Sequence, residues 1–270
     1  MMTTEINEAR DWQGQIIECR GCAHESLQAK GECELMRACV ADRYARRIDR
    51  FFRWNPEIAR DYVDHPYFEV RAIAAKHVDV FAAVRMLDDA DATVRWSAAA
   101  RLPRRYLLRL RTDPDREVRI RVALRIDPNN LISMIGDTDY YVRQVVARRI
   151  RPQLLTLMIN DPEAEVRRTV ATRIGEKSLL AMAADRDERV RVEVVERLPA
   201  QQLKQLRHDA DWSVRYAVAG RIAEAYLPEM LTDEDPMVRE LARHRLDACE
   251  AKPGNTPVPI GQEHGHEDQS

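Results

Sequence analysis

Glycine is scarce in this chain, with nine in 270 residues. A phosphate-cradling loop needs clustered glycines so that backbone N–H groups can approach the anion, and no such loop occurs. There is no H-E-x-x-H pair for a catalytic zinc and no C-x3-C-x2-C of the radical-SAM kind. No run approaches the roughly 20 apolar residues of a membrane span. The start, MMTTEINEARDW, lacks the basic and apolar regions of a secretory signal, so a cytoplasmic protein in a reducing compartment is expected. The formal net charge of −2 gives no general pull toward nucleic acid. Lysine is nearly missing. Of 43 basic residues only Lys30, Lys76, Lys177, Lys204 and Lys252 are lysine, and the other 38 are arginine. Cysteine is missing too, except for Cys249 and four residues between 19 and 39.

What is present is a repeat. Val-Arg recurs at 70–71, 94–95, 118–119, 142–143, 166–167, 190–191, 214–215 and 238–239, every 24 residues without insertion. Four residues after each valine stands Ala74, Ala98, Val122, Val146, Val170, Val194, Val218 or Ala242. Eight after it stands Val78, Leu102, Ile126, Ile150, Ile174, Leu198, Ile222 or Leu246. Spacing of 0, 4 and 8 is one stripe of an α-helix. Aspartates three before the valine, such as Asp91, Asp115 and Asp139, suit the N-cap. Those five before it, such as Asp89, Asp113 and Asp137, suit the preceding turn. Pro103, Pro128, Pro152 and Pro199 stop the helix after about 11 residues. The remainder carries a second apolar set, Leu107 and Leu110 or Leu131 and Met134, on a piece that fits a short α or 3-10 turn. A unit this small cannot bury its stripe alone, so the units must stack as an all-α solenoid.

The arginine after each valine falls about 100° round the helix from it, inside the apolar arc, and therefore needs a carboxylate partner. An Arg–Asp ladder is expected, with a phosphate-binding stripe as the alternative. A second column, Arg101, Arg125, Arg149, Arg173, Arg197, Arg221 and Arg245, flanks the stripe and is the better candidate for an accessible basic track. Two residues after the valine, about 200° round, stand Trp96, Ile120, Val192 and Tyr216. These are candidates for a face that binds a protein partner, unless curvature of the stack buries them.

The cysteines follow C-x2-C-x10-C-x5-C: Cys19, Cys22, Cys33 and Cys39. Four thiolates satisfy tetrahedral zinc or an iron–sulfur cluster, and spacing alone does not decide. Arg20, Lys30, Arg37 and Arg43 could offset the charge of such a centre. His24 and His65 could substitute as ligands. Tyr44, Ile48, Phe51 and Phe52 are expected to pack the segment against the first repeat.

The 24-residue period, the short second element and the preceding cysteines resemble the leucine-rich repeat variant family, from the cysteine cluster to about Cys249. The D-P-D-x-x-V-R segment also resembles HEAT-like repeats, but their period is much longer. The resemblance implies alternating α and 3-10 helices in a right-handed superhelix. It also implies an N-terminal [4Fe–4S] domain with Cys19, Cys22, Cys33 and Cys39 as ligands, zinc being the alternative occupant. No activity is established for the family. The expected organisation is a cluster domain over residues 1–50, a solenoid of about eight repeats over 51–248 and a flexible tail over 249–270, whose His264 and His266 could bind metal weakly. The expected function is a noncatalytic scaffold for an unidentified protein partner, its cluster serving as structural cap or as redox or iron sensor. A nucleic-acid-binding or modifying solenoid and an electron-transfer module are the alternatives.

Overall fold

The computed structural model describes residues 8–250. Contacts divide the chain into two compact units, one ending at Leu154 and the other starting at Leu155. Among the described residues there is no β-strand, only isolated bridges between Arg10 and Ile16 and between Glu34 and Ala38. No helix of the described residues is long and apolar enough to cross a membrane.

The chain alternates α-helices with shorter pieces, as the 24-residue pattern requires. In the first unit the longer helices are Phe68–Ala74, Ala92–Arg101, Arg116–Arg125 and Tyr140–Arg149. In the second they are Ala164–Ala171, Glu188–Arg197, Trp212–Arg221 and Pro236–Glu250. Between them lie 3-10 pieces such as Pro128–Met134 and Ala200–Leu206, or one α turn running into 3-10, as in Arg104–Leu107 and Leu108–Leu110. Within each unit neighbouring helices pack side by side and the short pieces pack on them as a second layer. The core lies between the layers. Val94, Val118, Val142, Val166, Val190 and Val214 are fully buried, as are Leu107, Leu131, Leu155 and Leu203 from the short pieces. Each such side chain contributes roughly 1.5–3 kcal/mol.

The cap aspartates work as their position suggests. Asp115 accepts the N–H groups of Glu117 (2.9 Å) and Val118 (3.2 Å), and Asp139 those of Tyr141 and Val142. Glu163 makes no side-chain cap bond. Its extra methylene moves the carboxylate away from the orphan N–H groups, and the helix it precedes has 8 residues where most of the others have 10.

The arginine after each valine joins one repeat to the next. Arg95 Nε and Nη2 donate to Asp113 Oδ2 (2.8 Å) and Oδ1 (2.7 Å), 18 residues on. Its Nη1 donates to the carbonyls of Asp89 (2.9 Å) and Ala90 (3.0 Å) in its own turn. Asp113 Oδ1 also accepts the N–H of Asp115 (2.9 Å). The same fork joins Arg71 to Asp89 and Arg119 to Asp137 in the first unit, and Arg167 to Asp185, Arg191 to Asp209 and Arg215 to Asp233 in the second. In the first repeat His65 takes the aspartate's place, and its Nδ1 accepts the N–H of Tyr67 (3.1 Å).

The second arginine column is not an open basic track. Arg125 donates to the carbonyls of Ala99 and Leu102, and Arg245 to those of Ala219 (2.8 Å) and Ile222 (2.9 Å). Arg101 reaches Lys76 O, Arg149 Ala123 O, Arg197 Ala171 O and Arg221 Val195 O. These carbonyls end the preceding repeat's helix and lack intrahelical partners. A cation there also meets the negative end of the helix dipole. The helical wheel places the column beside the stripe but does not show that a neighbour's helix end comes within reach.

Helix Pro236–Glu250 takes in residues 249 and 250, the first two of the expected tail. The rest of that segment, with His264 and His266, lies outside the described residues.

Buried forks and exposed ion pairs should respond very differently to mutation. Arg95→Ala leaves Asp113 buried and unpaired and should cost about 3–5 kcal/mol. Arg109→Ala breaks a pair with Asp88 whose side chains are 45% and 66% exposed, and should change stability by less than about 1 kcal/mol. Urea denaturation of the two variants beside the parent checks this.

Candidate metal centre

The four cysteines lie in a loop-rich segment built around two turns. In the first, Cys22 N–H donates to Cys19 O (3.1 Å). Gly21 between them has φ 78°, which a side chain would resist. The N–H of His24 approaches Cys22 Sγ at 3.5 Å. A short helix, Glu25–Ala29, leads to Cys33. In the second turn the Glu34–Ala38 bridge closes a tight reversal, in which Met36 adopts φ 61° despite its side chain. The chain then reaches Cys39. Cys33 and Cys39 are buried, while Cys19 and Cys22 are half-buried.

The sulfurs interact. A hydrogen bond to Cys39 is the main cause that raises Cys33, followed by burial and by the charges of Cys39, Cys19 and Cys22. The same bond lowers Cys39 to about 7, against its burial and with help from the N–H groups of Ala41 and Asp42. Burial and then the charges of Cys39 and Cys22 raise Cys19. One thiolate is therefore ready at neutral pH, and a bound cation would displace the remaining protons. Among the described residues no three His, Cys, Asp or Glu side chains are grouped to hold a single ion. Four thiols with N–H groups aimed at sulfur are the donor set of an iron–sulfur centre.

Groups that the spacing did not single out hold the segment. Asp42 is fully buried, accepts the N–H of Tyr44 (2.9 Å) and pairs with Arg47 (2.9 Å). Asn55 Nδ2 donates to Glu32 O beside Cys33 (2.9 Å) and to Phe51 O (3.0 Å), tying the cysteine loop to helix Ala45–Trp54. His24 Nε2 and Tyr62 OH lie 2.5 Å apart, and Phe51 and Phe52 complete the ring cluster. Burial, then the charges of Cys22 and Cys39, push Tyr62 up to about 12. An asparagine before a proline, as in Asn55-Pro56, is the one local signal for any of them.

Ile48, Phe51 and Phe52 are buried as expected, but Tyr44 is not part of that core. It precedes helix Ala45–Trp54, and its ring carries Arg47 and Arg43. Arg20 and Lys30 are exposed, and Arg37 pairs with Glu34 (2.9 Å). His24 and His65 are engaged with Tyr62 and Tyr67.

The expected partner face is not uniform. Ile120 is buried at 8% exposure and drops out of it, because the neighbouring repeat covers that side of the helix. Trp96 and Val192 are half-buried, with Arg121 lying 3.4 Å over the Trp96 ring. Tyr216 is exposed and meets the exposed Trp212 edge-on.

Residues 9–61 match the family model described as LRV protein FeS4 cluster, which points to an iron–sulfur cluster in this segment. The match reaches past residue 50, through the 3-10 helix Pro56–Tyr62. A solved structure described as a leucine-rich repeat variant with a novel repetitive protein structural motif is 42% identical, covers 86% of this chain and 100% of its own, and superposes with a TM-score of 0.82. An uncharacterized 27.7 kDa protein in the nifB 3' region of Rhodobacter capsulatus is 48% identical over 96 residues, which span 36% of this chain and 39% of that relative.

Acid should loosen the protein in two stages. Burial lowers His24, His65 and His77, so their folded-state pKa values lie below the unfolded one. The stability they hold is complete above about pH 6.5 and is lost as pH falls through the folded values. Asp89, Asp185 and Asp233 are raised by burial, but their arginines and backbone N–H donors outweigh this and leave them lowered. Their contribution is complete above about pH 3.9 and is lost below it. Hydrogen exchange followed by mass spectrometry from pH 7 to pH 3 should show residues 24–77 opening first and the later repeats only near the acid end.

Proposed function

The chain belongs to the leucine-rich repeat variant family, and on that premise we propose a noncatalytic scaffold for a protein partner, closed at its N-terminal end by a [4Fe–4S] cluster on Cys19, Cys22, Cys33 and Cys39. In this reading the cluster is a cap whose loss reports redox or iron status to whatever the repeats bind. Asn55 carries the proposal, because one amide joins the loop of Cys33 to the helix that leads into the first repeat.

Such a cluster supplies reversible one-electron chemistry and a rigid four-point tie. The chain's own residues do the rest. The N–H groups of His24, Ala41 and Asp42 offset negative charge on the sulfurs of Cys22 and Cys39. The Asp42–Arg47 pair holds the exit of the loop, and Phe51 and Phe52 exclude water behind it. Without the tie, the buried sulfurs of Cys33 and Cys39 lose their common partner in a segment too small to keep a core by itself. The nucleic-acid reading needs unpaired arginines, and both columns are engaged within the fold.

Anaerobically purified protein should contain about four irons and four sulfides per chain, with a broad visible band that bleaches on reduction. Cys39→Ser should lose iron and sulfide, and Cys249→Ser should keep both. One zinc and no sulfide would replace the cluster with a structural ion. Removing the cluster should expose residues 9–61 to protease while the repeats keep their helical signal. If cluster-free protein unfolds and binds its partner like the loaded form, neither capping nor sensing survives.

A further inference from the structure

Arg121 breaks its column. Three residues after the valine the other repeats carry Ile73, Ser97, Val145, Thr169, Glu193, Ala217 and Leu241, none of them a cation. The repeat therefore does not require an arginine here. Its surroundings do not satisfy one either. The Nε of Arg121 is shielded from solvent and has no acceptor. The side chain makes no hydrogen bond or ion pair with any described residue, and Arg125, a charge of the same sign, is close enough to add to its burial in disfavouring the cation. The arginines of the forks and of the helix ends have acceptors throughout. A desolvated guanidinium without an anion is costly to the fold. Stacking on Trp96 at 3.4 Å offsets part of that cost, but an apolar side chain would cover the ring without it.

The neighbours set the kind of ligand. Leu124, on the same helix, is 54% exposed. Beside Trp96 opens a cavity of about 400 Å³ lined by Ala92, Thr93, Trp96, Asp115 and Glu117. Trp96 and Leu124 offer apolar contact, Arg121 calls for one oxyanion, and the two acids oppose a second. That pattern rejects a nucleic-acid backbone, which brings a phosphate at every step. It suits a bidentate carboxylate flanked by apolar residues.

We propose that Arg121, stacked on Trp96, is the docking point for a single Asp or Glu side chain in an otherwise apolar or basic segment of a partner protein. This rests on the scaffold reading above and gives it a place on the first unit. An arginine kept against stability is expected where binding requires it.

The test uses the cluster-loaded full chain and a displayed random peptide library as the probe, with enriched peptides then measured by calorimetry. The proposal expects enriched peptides to share an acidic residue next to an apolar one. Exchanging that acid for its amide should weaken binding roughly ten-fold or more, and Arg121→Met should do the same. Arg121→Met should leave the melting midpoint unchanged or higher. Peptides that bind Arg121→Met as well as the parent overturn the site and leave the scaffold reading standing. A library that yields no binder overturns both. A lowered midpoint in Arg121→Met assigns the residue to the fold and removes the proposal. Binding of an oligonucleotide that is lost in Arg121→Met, without peptide binding, overturns the partner class.

Discussion

The repeats are joined by a fork. In each internal pairing a guanidinium grips both oxygens of an aspartate 18 residues later and, with its remaining Nη, the carbonyls of its own turn. This explains why arginine so outnumbers lysine. An ammonium is a point charge and cannot present two parallel N–H donors to a carboxylate while a third reaches backward. It also explains why the turn carries aspartate, since the same carboxylate accepts the N–H that precedes the next helix. A shift of one residue would leave both charges buried without partners. The 24-residue period thus has a steric side, set by the valine stripe, and an electrostatic side, set by the fork.

The fork defines what an end must do. The first repeat has no arginine before it, and His65 replaces the aspartate there as a neutral acceptor for Tyr67. The apolar face left open at that end is closed by the cysteine segment through Phe51, Phe52 and Tyr62. At the other end Arg239 keeps only the turn carbonyls of Asp233 (2.6 Å) and Glu234 (2.9 Å), and the last helix extends over 15 residues with polar Glu240, Arg243, His244 and Asp247 exposed. One end is finished by a domain of different chemistry and the other by a helix that tolerates water.

Periodicity made much of this legible. Val94, Ala98 and Leu102 stand on one stripe because burial selects every fourth residue, and Asp115 announces a helix start because few side chains can accept its free N–H groups. The cysteines stood out because nothing in the repeat uses thiols. Other residues were misread or unseen for a common reason. Arg125 looked like part of a surface track, Ile120 like an exposed contact and Tyr44 like core, because a wheel drawn for one helix omits the helix beside it. Asp42, Arg47 and Asn55 are single occurrences with no period to mark them.

The sequence by itself determined the repeat length, the buried stripe, the helix caps and the set of sulfur ligands, since each depends on spacing within about 24 residues of chain. Only the tertiary structure decided which arginines are consumed and which one is left over. Arg125 finds helix-end carbonyls and Arg95 finds Asp113, while Arg121 finds only the face of Trp96. Satisfying a guanidinium requires acceptors at hydrogen-bond distance in fixed directions, and those acceptors come from a neighbouring repeat whose placement is settled by packing.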